Sequence, residues 1–166
     1  DLRLSRGLGD VYKRQEELAL ISVGLRETHD GEAFAEFASL QVAAAAVEAG
    51  DLVLARAELE SVMATVELDS TLGQLVQLRL ARVMAASGDE TAAVAILEQG
   101  SSSFPASYAQ ALGDIHLAAG RESEALMAYQ SAQTESLALG GQLGLVDLKV
   151  SGLSLRDAED SIEDSQ

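Results

Sequence analysis

The sequence contains no cysteine and no tryptophan, a single proline, and three residues each of tyrosine and phenylalanine among 166. Without cysteine, disulfides, thiolate nucleophiles and thiolate metal ligands are excluded, and the chain suits a reducing or an oxidising compartment alike. One proline, Pro105, leaves room for long helices. Apolar residues make up 48% of the chain but aromatic ones only 4%, so the core must be built from Ala, Leu and Val, which suits closely packed helices. Basic residues are also scarce, 11 against 27 acidic ones, for a net charge of −16. A surface of that sign repels phosphate backbones and anionic headgroups, which excludes nucleic-acid binding and contact of this domain with a membrane surface.

The first fifteen residues do not match the rest. Ser5–Gln15 reads "SRGLGDVYKRQ", basic and glycine-punctuated. Asp10–Gln15 can be encoded by the mosaic end of a transposase used to build sequencing libraries, and Ser5–Gly9 by adjoining adapter bases in the same frame. Residues 1–15 are therefore expected to be a translated adapter, disordered and foreign to the domain. Residues 16–166 alone carry a charge of −18, because the segment removed holds four basic and two acidic groups. Glu16 follows the adapter directly, so the expectation is a truncated fragment whose anchor or signal lies upstream.

Within the remainder three stretches align: "VEAGDLVLARAELESV", "AASGDETAAVAILEQG" and "LAAGRESEALMAYQSA". Their glycines are Gly50, Gly88 and Gly120. Five residues on stands an alanine (Ala55, Ala93, Ala125), and nine residues on a large side chain (Leu59, Leu97, Tyr129). Eight residues before each glycine comes an aliphatic residue (Val42, Leu80, Leu112) followed by a small one (Ala43, Ala81, Gly113). A period in this range marks stacked supersecondary units. Each glycine is expected to end a first helix through a left-handed position, Asp51 and Asp89 to cap the second helix, and the large residue to fill the seam to the next unit. Arg121 stands in the third unit where the cap is missing.

This pattern resembles the tetratricopeptide repeat, most closely in "ALGDIHLAAGRESEALMAYQSA", and Pro105 ends the second unit where such repeats commonly carry proline. The expected fold is all-α: about three helical hairpins in a short right-handed solenoid over residues 16–155. A flanking helix at 16–28 precedes the hairpins, a capping segment at 137–155 breaks at "LGG", and an acidic tail, 156–166, is expected to be disordered.

No residue set for catalysis emerges, so the protein is read as a non-enzyme without metal or cofactor. His29, Asp30 and Glu32 fit a turn into the first helix better than a metal site. His116, four before Gly120, occupies a core slot of the repeat. Gly140, Gly141 and Gly144 lack the strand–turn–helix setting of a dinucleotide site. Tyr108 and Tyr129 read as core or seam. Mapped on the repeat, the groove-facing slots are Phe37, Leu40 and Ala44, then Leu75, Leu78 and Arg82, then Gln110 and Asp114, one largely apolar strip suited to a peptide. Two readings stay open for the arginines. Arg79 and Arg82 pair with acids such as Glu58 or Glu60, or Arg82 holds a partner's carboxylate. For Leu75 and Leu78 the alternatives are a core position or cover by the flanking helix. A homodimer face would look the same.

The order "GEAFAEFASLQVA", "GDLVLARAELESVM", "LVQLRLARVMAASGDETAAVAILE" and "VDLKVSGLS" resembles the tetratricopeptide-like domain of the ancillary SecYEG translocon subunit family. That resemblance implies a bacterial single-pass inner-membrane protein with this domain in the periplasm. Its partners would be the SecYEG translocon, a membrane-anchored periplasmic chaperone, and emerging polypeptides. The rival expectation is a tetratricopeptide adaptor in cell-envelope assembly with no translocon role. A third is a catalytic part upstream.

Overall fold

A computed structural model describes residues 33–141 and 144–163. The expected adapter, the flanking helix at 16–28 and the turn at His29 lie outside them. The described residues form seven helices and no strand: α1 (Ala33–Glu48), α2 (Leu52–Met63), α3 (Thr71–Ala86), α4 (Glu90–Leu97), α5 (Pro105–Ala118), α6 (Glu122–Ala138) and α7 (Gly144–Glu163). They divide into two compact units at Ser87–Gly88.

The repeat glycines do what their spacing requires. Gly50, Gly88 and Gly120 have φ of 78°, 89° and 74°, left-handed values that cost a residue with a Cβ about 1 kcal/mol. At the end of α1 the Asp51 amide donates to the Ala46 carbonyl at 2.8 Å and the Gly50 amide to that of Val47 at 3.0 Å. That reciprocal pair closes a helix end and satisfies carbonyls the helix leaves open. The Arg121 and Gly120 amides repeat it at the end of α5, onto His116 and Leu117.

In the first unit α1 packs on α2 and α2 on α3. Asp51 caps α2 as expected, its carboxylate accepting from the Leu54 amide at 3.0 Å. Small residues allow close approach: Ala43, Ala46 and Ala55 are buried, with Val42 and Leu59 beside them in the sequence pattern. The segment joining α2 to α3 is tied to α3 by polar side chains. Gln74 donates to the Asp69 carbonyl at 2.9 Å and Gln77 to that of Leu68 at 3.2 Å. Both glutamines are buried, and burial is tolerable because these bonds are made.

In the second unit Pro105 stands at the first turn of α5, where the missing amide hydrogen is not needed. Asp89 begins α4 but makes no cap with its side chain, unlike Asp51. The α5–α6 hairpin packs closely because Gly113 lies against the ring of Tyr129. Ala125, Tyr129 and Ala132 of α6 join Val146 and Leu153 of α7 in one buried cluster. The segment expected to cap the last hairpin is therefore a helix that covers α6. It runs on to Glu163, past the point at which its acidic composition suggested disorder. Extending a helix already nucleated by packing costs little, and nothing after Gly152 breaks it. Arg156 also ties this end back to Glu122 of α6 at 2.7 Å.

The two buried phenols make the second unit sensitive to alkali. Burial raises the pKa of both Tyr108 and Tyr129, and for Tyr129 the hydrogen bond to Asp114 and that residue's negative charge raise it further. Both are raised, so their contribution is full below the unfolded value of about 10 and is lost as pH rises through the folded values. Stability measured by urea titration is expected to decline above about pH 10, and less steeply in Tyr129→Phe. An unchanged slope in that variant would assign the decline to Tyr108 instead.

Candidate functional site

The first unit contains an open cavity of about 390 Å³ between α1 and α3, to which α2 adds Leu52 and Leu59. One wall is α1, through Leu40, Ala44 and Val47. The other is α3, through Arg79, Arg82 and Val83. Both walls are helices that opened a repeat in the sequence, and residues three and four apart on each come to one face. The lining is mainly apolar, and the two guanidinium groups are exposed at its side.

Three of the sequence-predicted groove residues are brought together here: Leu40, Ala44 and Arg82. Phe37 is on α1, 57% exposed, outside the lining. Leu78 is 4% exposed and belongs to the core, while Leu75 is half-buried. An aspartate at Leu78 would therefore disturb the core rather than report on the groove.

Gln110 and Asp114 are on α5, in the second unit, and their surroundings are different. Gln110 lines a smaller cavity of about 220 Å³ with Ser107, Ser136 and Val146. Asp114 is engaged inside the unit. It accepts a hydrogen bond from the Tyr129 hydroxyl at 2.6 Å and forms an ion pair with Lys149. The Lys149 ammonium also sits 4.9 Å from the centre of the Tyr129 ring, within cation–π range. An acidic groove slot in the repeat pattern is thus the anchor of a buried phenol.

His116 is half-buried and not fully packed. Its Nδ1 accepts from Arg121 Nε at 3.0 Å, and Arg121 also pairs with Glu90. Arg121, which cannot cap α6, instead links α4, α5 and the start of α6. No group of three metal-ligating side chains occurs among the described residues, and no described helix is long and apolar enough to cross a membrane.

On α3, neither arginine makes the pairing with Glu58 or Glu60 that the sequence allowed. Arg56 pairs with Glu60 at 2.7 Å, so that acid is already used. Arg121, Lys149 and Arg156 are likewise paired, with Glu90, Asp114 and Glu122. Among the described residues, Arg79 and Arg82 are the basic side chains that form no ion pair. The repeat pattern does not place Arg79 among the groove-facing slots. The signal that could have found it is its spacing of three from Arg82, which puts both on one helical face.

Comparison with known families matches residues 9–154 to the tetratricopeptide repeat-like domain. The match begins within the stretch that reads as an adapter. No curated protein matches the chain, and no solved structure does.

Proposed function

The chain belongs to the tetratricopeptide repeat-like family, and from that premise we propose that it is a non-catalytic protein-binding module whose groove lies between α1 and α3. The observation that carries this is the open apolar cavity with two unpaired arginines at its side, built on two rigid helices. Such a surface offers an apolar seat for a partner's side chains and fixed donors for orientation.

The more specific reading is an accessory subunit of the SecYEG translocon. It would be tethered to the inner membrane with this domain in the periplasm, and would link the translocon to a membrane-anchored chaperone or to emerging chains. Its support is the order of sequence blocks from "GEAFAEFASLQVA" to "VDLKVSGLS", together with a family match that covers nearly the same span.

Full-length protein, tagged at its C-terminus and purified in mild detergent from its own cells, is expected to sediment with the inner membrane and to bring down SecY, SecE and SecG. Recovery without any translocon component removes the translocon role. It would leave the second reading, a tetratricopeptide adaptor of cell-envelope assembly.

A further inference from the structure

The cavity of the first unit has a chemical bias that the fold alone does not require. In a chain with 27 acidic residues, the half-buried Arg56 and Arg121 and the exposed Arg156 each find a carboxylate. Arg79 and Arg82 are the exceptions, and both line the same apolar cavity. Glu48 lines it too, yet no ion pair joins it to either arginine. The lining therefore carries two positive charges and one negative, a local excess opposite in sign to the whole protein. At physiological salt the screening length is about 8 Å, so charges farther away are muted and the local pair decides what approaches.

We infer that this cavity takes a partner segment in which carboxylates stand beside aliphatic side chains, an acidic amphipathic peptide, with Arg79 and Arg82 as its anion-binding edge. This rests on the reading of the domain as a protein-binding module and names the chemistry of the segment bound. Leu40, Val47 and Val83 receive the aliphatic side chains. Guanidinium forks suit carboxylates because two parallel N–H donors meet two oxygens. Their spacing of one helical turn matches acids placed along one face of the segment. An apolar peptide without acids would leave both arginines unpaired at a partly desolvated edge, and a basic one would be repelled, so the same pair also supplies selectivity.

The test uses two fluorescent peptides with one leucine–alanine frame, one bearing glutamates and the other lysines at the same positions. Binding to the full chain is read by fluorescence anisotropy. The glutamate peptide is expected to bind about tenfold more tightly than the lysine peptide at physiological salt, the low end of the coupling for a close interfacial charge pair. That preference should shrink as sodium chloride rises. In the Arg79→Glu, Arg82→Glu double variant the order should invert. Both side chains are exposed, so the circular dichroism spectrum should not change.

Equal binding of the two peptides would overturn the inference and leave an apolar site; so would failure of both to bind. If the wild-type chain sediments as a dimer and the double variant as a monomer, the occupant is a second copy and the inference also falls. None of these outcomes touches the translocon reading, which stands or falls on copurification.

Discussion

Replacing Tyr129 by alanine is expected to lower the stability of the second unit by about 3–5 kcal/mol, the cost of truncating a large buried aromatic. Few domains have more than 5–15 kcal/mol to lose. The ring is fully buried in a cluster with Ala125, Ala132, Val146 and Leu153. The space under it is left by Gly113, whose Cβ, were it present, would lie 2.6 Å from two ring carbons. The neighbours that would have to collapse into the void belong to α5, α6 and α7, so relaxation is limited and the cavity term stays large. Truncation also strips Asp114 of its phenol donor and Lys149 of its ring. Tyr129→Phe keeps the ring and loses only the hydroxyl, for which about 0.5–1.5 kcal/mol is expected. The measurement is urea denaturation of both variants, followed by circular dichroism. A loss below 1 kcal/mol for the alanine variant would show that the ring is not what joins α5 to α6.

Much of this architecture is legible in the sequence because it depends on residues with one physical use. Gly50, Gly88 and Gly120 are placed by the left-handed turn, and all three have positive φ. Ala55, Ala93 and Ala125 are placed by close helix approach, and all three are fully buried. The groove was harder to read, since an apolar residue on an inner helix can face either the cavity or the core. One residue along a helix turns the side chain by 100°, and that separates Leu78, in the core, from its neighbour Arg79, in the cavity lining. Asp114 looked like a groove position because its partners, Tyr129 and Lys149, are 15 and 35 residues away. The helical state of residues 156–163 was hidden for a similar reason. Composition reports the cost of isolating an acidic segment, while α7 is held by Val146 and Leu153 nearer its start. Gln74 and Gln77 gave no signal at all. Polar residues in a helix read as surface until the strand of chain they hold down is seen.

That same loop gives the other large effect, at Gly73. Alanine for glycine within a helix ordinarily stabilises by about 0.5–1 kcal/mol, because glycine loses more backbone freedom on folding. Gly152, in the middle of α7, should follow the rule, since a Cβ there meets nothing within 4 Å. At Gly73 the sign reverses. A Cβ would lie 2.2 Å from the Glu67 carbonyl oxygen and 2.8 Å from the Leu68 Cα. These are backbone atoms, which cannot swing aside as a side chain can. They are also fixed by hydrogen bonds, from the Ser70 hydroxyl to the Glu67 carbonyl at 2.6 Å and from Gln77 to that of Leu68. To admit the methyl group, the loop must lift from α3 and give up some of these bonds. Gln77, buried, then loses its partner in the loop, a cost that solvent cannot offset. Overpacking of about 1–3 kcal/mol, with one or two hydrogen bonds lost, gives an expected destabilisation of about 2–4 kcal/mol for Gly73→Ala. The two alanine variants should therefore move in opposite directions in the same urea titration. Stabilisation by both would mean that the α2–α3 connection does not lie against the start of α3, and the buried roles of Gln74 and Gln77 would fall with it.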